Sequence, residues 1–159
     1  MLVLPVPALE PYVRGRWEHY DPAWVSRDPG FTHAHITALG PFLPAPDADD
    51  LASVAAIAQA TPAFDFKLAD IDAFPNGIIH LLPDPPEPFS GLTAQLWHVF
   101  PQCPPYEGQF EAVVPHLTLD STTSGVTLDQ VRADLADLLP AACRADRLEL
   151  QWYPQVLRE

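Results

Sequence analysis

The sequence predicts an α+β protein made of two pseudo-symmetric lobes. Each lobe is a small, mainly antiparallel sheet with helices packed outside, and a central cleft lies between them. Three observations predict it. Twenty prolines cut the chain into short runs that alternate between strand-like and helix-like patterning. The pattern restarts near residue 77, a period of about 80 residues and far longer than solenoid repeats. Local phrases recur with it: "LPVPALEPY" at 4–12 resembles "LPDPPEPF" at 82–89, and "AFP" at 73–75 mirrors "WYP" at 152–154. With 159 residues in all, we expect a single domain, lobe one over about 1–76 and lobe two over about 77–159.

Taken in order, "LVLPV" at 2–6 reads as a short buried strand, and residues 8–30 carry no clear period. "HAHITALG" at 33–40 reads as the second strand. A helix follows over 49–60, with aspartates in its first turn, Pro62 beyond its end, and Leu51, Val54, Ala55 and Ala58 on one face. Residues 63–74 alternate as a strand, Pro75-Asn76-Gly77 turns, and "IIHLL" at 78–82 returns. In the second half Ser90 is expected to cap a helix carrying Leu92, Leu96 and Val99, and "AVVPHLTLD" at 112–120 to form a strand. Thr127 and Gln130 have the spacing of a capping box, opening a helix with Leu128, Val131, Leu135 and Leu138 on one stripe and Pro140 closing it. A final strand is expected over 146–154.

Charge narrows the function. Eight Lys+Arg against 21 Asp+Glu give a net charge of −13. Long duplex nucleic acid is a poor partner for such a surface, because that affinity comes from neutralising phosphates with basic residues. A small ligand in a local cleft is compatible with it. Cys103 and Cys143 have no ligand-like spacing and read as two reduced thiols. No basic leader precedes the first strand and no apolar run is long enough for a membrane span, so a cytoplasmic protein with no membrane association is expected.

The chemistry is carried by a phrase written twice: His35-Ile36-Thr37-Ala38 and His116-Leu117-Thr118-Leu119. On a strand, residues i and i+2 share a face. His35 with Thr37, and His116 with Thr118, therefore project together, while the apolar residues between them enter a core. If the lobes meet about a pseudo-dyad, one cleft receives two imidazoles and two hydroxyls. That set suits a phosphodiester: a neutral imidazole takes a proton, a protonated one delivers a proton to the leaving oxygen, and the hydroxyls hold the non-bridging oxygens. No metal is needed.

At these residues, and at the "GPF" of Gly40-Pro41-Phe42, the chain resembles the 2H phosphoesterase superfamily, in particular its 2′-5′ RNA ligase-like and cyclic phosphodiesterase branch. The resemblance covers essentially the whole chain. It implies that His35 and His116 are the catalytic pair and that Thr37 and Thr118 bind phosphate, with no cofactor. It implies hydrolysis of 2′,3′-cyclic phosphates or 2′-5′ phosphodiesters of nucleotides or RNA ends, leaving a 2′-phosphate, and reversible 2′-5′ ligation. The scarcity of basic residues favours a small nucleotide or RNA-end substrate over ligation, and a monomer is expected. The alternative is a nucleotide or RNA-end binding protein that uses the same cleft without turnover.

Other candidates are weaker. His33 and His35 form an H-x-H pair, but the glutamate a metal site would want is absent, since Leu39 and Gly40 stand there. His80, in an apolar strand, is expected to be a hydrogen-bonded structural residue, and His19 and His98 to lie on the surface. Tyr12, Tyr20, Trp97 and Tyr106 could stack on a base, though core packing is the better expectation for each. Arg14, Arg16 and Arg27 are the cations the cleft could borrow.

Overall fold

A computed structural model describes residues 1–152. Its elements run β1 (Leu2–Pro5), α1 (Glu10–Tyr20), β2 (His35–Leu39), α2 (Ala48–Ala60) and β3 (Phe64–Ala73), and then β4 (Ile78–Asp84), α3 (Glu87–Val99), β5 (Leu117–Ser121), α4 (Leu128–Asp134) and β6 (Ala141–Ala145). A short β7 (Glu149–Leu150) follows. The order is therefore βαβαβ twice with one strand added. All strands join one antiparallel sheet in the order β6-β3-β4-β5-β2-β1-β7. The α+β class holds. The pair β1–β2 is matched by β4–β5, and the two pairs meet where β2 lies beside β5. The sequence halves interleave: β3 lies between β4 and β6, and β7 borders β1.

Several elements follow from local chemistry. Asp47 and Asp50 bond each other's backbone N–H groups at 2.8 and 2.9 Å, which closes a capping box at the start of α2 and satisfies two otherwise orphaned donors. Thr127 and Gln130 do the same for α4. Asn76 and Gly77 make the β3–β4 turn, with Gly77 at φ +93°; a Cβ there would stand 2.6 Å from Thr122 Oγ1. Helix α3 buries Phe89, Leu92, Thr93 and Leu96. Phe89 meets Phe64 and Phe66 edge-on at 5.0 Å, and Thr93 Oγ1 donates to the Ala38 carbonyl of β2 at 2.7 Å.

Other expectations are corrected. Residues 8–30 hold α1, which buries only Val13 and so leaves almost no apolar stripe to read. Ser90 is not a cap: α3 starts at Glu87, with Pro86 in the capping position and Pro88 in the first turn. On α2 the inward residues are Val54 and Ile57, whereas Leu51 is 44% exposed. Helix α4 ends at Asp134, short of Leu138. The strand expected over 112–120 is regular only from Leu117. Strand β6 begins directly after Pro140 and is rich in alanine, so nothing in its composition marked it as a strand; it is an edge strand paired only to β3. Of the strand expected over 146–154, residues 149–150 are observed, and residues 153–154 lie outside the described residues. Among the described residues, no helix is long and apolar enough to cross a membrane.

Candidate active site

The site is built by one register. Ile36 of β2 is the direct antiparallel partner of Leu117 of β5, and both are fully buried. Side chains alternate along each strand, so the residues flanking this pair project to the opposite face. Continuing the register by one residue on either side sets His35 across from Thr118 and Thr37 across from His116. The two imidazoles then occupy one diagonal of a four-residue patch, with Cβ atoms about 7–8 Å apart, and the two hydroxyls occupy the other. Residues from distant parts of the chain thus meet because their apolar neighbours pair beneath them.

Both imidazoles are oriented by the same local device. His35 Nδ1–H donates to the His33 carbonyl at 2.7 Å, and His116 Nδ1–H donates to the Val114 carbonyl at 2.8 Å. Each bond fixes the tautomer and makes Nε2 the proton-accepting nitrogen of the neutral ring. Burial holds the His35 imidazole below the ordinary histidine range; the His33 carbonyl and Glu10 oppose the shift, while His116 and the amino terminus add to it. Burial also lowers His116; the Val114 carbonyl opposes that shift and His80 adds to it. The charge of His116 thus disfavours protonation of His35.

Aromatic residues enclose the patch. Tyr106 stacks over His116 with ring centroids 6.3 Å apart, and its hydroxyl lies near the Thr37 side chain, which favours the phenolate. Burial raises the Tyr106 phenol. Its backbone has φ 51°, and Glu107 has φ 56°, two consecutive non-glycine residues in the left-handed region. Phe74 meets His116 edge-on at 4.9 Å and stacks on His80 at 3.7 Å. His80 is buried and bonds the Ile78 carbonyl, in keeping with a structural role. His19 and His98 are exposed.

Two cavities adjoin the patch, one on the side of His35 and Thr118 and one on the side of His116, and Thr37 lines neither. One, of about 640 Å³, is bounded by His35, Thr118, Arg16, Tyr20, Trp24 and Asp120. The other, of about 550 Å³, is bounded by His116, Tyr106, Phe74 and Phe110. Of the three candidate cations, Arg16 lies in the first cavity, where its Nε donates to buried Asp120 at 2.6 Å. Tyr20 Oη and the Ser121 N–H also donate to Asp120. Arg14 pairs with Glu18 on the exposed face of α1, and Arg27 is exposed outside both cavities. Tyr12 packs partly against the core, and Trp97 lies on the surface. Sequence reading passed over Asp120, although counting two residues on from Thr118 would have found it. Trp24, Phe74 and Phe110 carried no such signal. Among the described residues, no three His, Cys, Asp or Glu side chains gather to hold a metal ion.

The sequence model of the 2′-5′ RNA ligase superfamily matches residues 5–156. The chain belongs to the 2′-5′ RNA ligase superfamily. Membership supports an enzyme of phosphoesterase type. Among solved structures, this superfamily member is similar to E. coli LigT in complex with 3′-AMP, with 20% identity, a TM-score of 0.45, and 74% of this chain and 69% of that one covered. It is also similar to a crystal structure described as a phosphoesterase, with 17% identity, a TM-score of 0.44, and 98% and 78% covered. No curated protein sequence matches it.

Proposed function

We propose that this protein is a metal-independent phosphodiesterase that hydrolyses 2′,3′-cyclic phosphates or 2′-5′ phosphodiesters of nucleotides or RNA ends. It acts as one domain, in the cytoplasm and as a monomer. His35 and His116 are its acid–base pair, and Thr37 and Thr118 hold the non-bridging oxygens. The observation that carries the reading is the Ile36–Leu117 pairing, since it sets two imidazoles on one diagonal, suited to the entering and leaving oxygens of a displacement at phosphorus, and two hydroxyls on the other.

In the forward reaction one neutral imidazole accepts a proton from water as its oxygen bonds to phosphorus. The bond to the leaving ribose oxygen breaks, and the other ring, protonated, donates its Nε2 proton to that oxygen. The charge of His116 works against His35 being protonated at the same time, which disfavours a doubly charged pair. With a 5′-hydroxyl in place of water, the same two proton transfers join two ends: the 5′-oxygen bonds to the phosphorus of a cyclic phosphate, the bond to the 3′-oxygen breaks, and that oxygen leaves protonated.

The test is turnover of 2′,3′-cyclic nucleotides and 2′-5′ dinucleotides in excess EDTA. Wild type is expected to be active, and His35→Ala and His116→Ala are each expected to lose about 10²–10⁴-fold in kcat. Binding without turnover across both substrate sets would instead make the cleft a nucleotide-binding site. Activity lost to EDTA and restored by a divalent metal would overturn the metal-independent chemistry.

A further inference from the structure

The two motif histidines differ in what stands behind them. His116 leans on the carbonyl of Val114, which is 42% exposed. His35 leans on the carbonyl of His33, which is 1% exposed and is held at both ring nitrogens. His33 Nε2 accepts the Ser26 N–H at 3.0 Å, so the proton sits on Nδ1, which donates to Glu10 Oε1 at 2.7 Å. The other oxygen of Glu10 accepts the Ala34 N–H at 2.8 Å. Trp17 and Phe31 close on the His33 ring edge-on at 5.0 and 4.7 Å. One carboxylate at the start of α1 therefore grips the residues before His35 by a side chain and a backbone amide, and the carbonyl so fixed aims the His35 ring.

We propose that Glu10 and His33 are positioning residues for His35, setting both the direction of its Nε2 and the electrostatic balance of its ring. The charged and titratable groups around His35 come from three elements. Glu10, Arg16 and Tyr20 approach from α1, the amino terminus from β1, and His116 and Asp120 from β5 and the segment before it; His33 precedes His35 directly. Of these, Glu10 favours the imidazolium, and His116 and the amino terminus oppose it. Among the described residues, no carboxylate plays the part of Glu10 for His116.

The proposal rests on reading His35 as a proton-transfer group, so its test has an arm that needs no turnover. Histidine ring resonances are titrated by NMR in wild type, Glu10→Gln, His33→Asn and His33→Ala, and kcat and KM are measured in parallel. An amide at position 10 accepts from only one of the two N–H donors and carries no charge. Glu10→Gln is expected to move the His35 midpoint to lower pH while leaving His116 in place. It should lower kcat by about 10- to 100-fold, the range known for removing the outer partner of a metal-ligating imidazole, with KM little changed. Asparagine at 33 can still donate to Glu10, so His33→Asn should retain more kcat than His33→Ala. Should Glu10→Gln fail to fold, the two His33 variants carry the same comparison. An unmoved His35 midpoint, or equal kcat in the two His33 variants, overturns the proposal. A wild type that turns over no phosphodiester would sink the catalytic reading, and the titration would still decide the coupling.

Discussion

Replacing Leu117 by alanine tests whether the buried pairing beneath the four polar residues holds them in place. Leu117 and its cross-strand partner Ile36 are both 0% exposed. Truncation removes apolar contacts and leaves a cavity where Ile36 and the strand backbones have little room to collapse. Such substitutions cost about 2–5 kcal/mol, which in a domain of this size lowers Tm by about 4–20 °C. Leu51→Ala is the control, since leucine periodicity gives the two positions equal claim to the core. Leu51 is 44% exposed on α2, and alanine's helix propensity offsets part of its loss, so it should change stability by no more than about 0.5 kcal/mol. Circular dichroism melts measure both. At a temperature where Leu117→Ala is still folded, kcat on a cyclic nucleotide should fall by up to about 100-fold, because displacements of about 1 Å are costly at reacting groups. Equal melting of the two variants would refute the burial argument. A destabilised Leu117→Ala with wild-type kcat would refute the claim that this pair sets the geometry.

Acid should weaken the fold through the two motif histidines. Both are lowered by burial, so below the ordinary value of about 6.5 the unfolded chain binds more protons and stability falls with pH; denaturant melts from pH 7 to 5 should show this slope, reduced in the alanine variants. Thr37→Val and Thr118→Val keep shape and remove a donor, and each should lower kcat by about 10²-fold at nearly unchanged Tm. Arg16→Gln leaves the buried Asp120 carboxylate without its cation, with an expected stability loss of about 3–5 kcal/mol. Arg16→Gln combined with Asp120→Asn should recover much of that loss, while substrate KM stays raised in both if Arg16 serves the ligand.

What could be read in advance was what depends on alternation. In "HITAL" and "PHLTL" the period of two assigns imidazoles and hydroxyls to one face and Ile36 and Leu117 to the other, and matching places in a repeat argued that the two faces belong to one cleft. The pairing of Ile36 with Leu117 is a long-range choice that no local pattern encodes. Helix α1 escaped notice for a related reason. It carries Glu10, Arg16 and Tyr20 toward the site and buries little besides Val13, so polar function replaces the apolar stripe by which helices are recognised. Ser90 misled because a good capping residue also fits inside a helix when prolines upstream have already set its start. Strand β6 offered mostly small residues, whose place at an edge is decided by the strand β3 beside them.

The left-handed backbone at Tyr106 and Glu107 has an implication for how this molecule divides its resources. Conformations of that kind cost roughly 1–3 kcal/mol per residue, a noticeable fraction of the roughly 5–15 kcal/mol that keeps a domain folded. Glycine would settle there without complaint, yet it would bring no phenol to Thr37 and no ring to His116. Conformational comfort and chemistry therefore pull in opposite directions within a single loop, and the remainder of the fold must be firm enough to subsidise the difference.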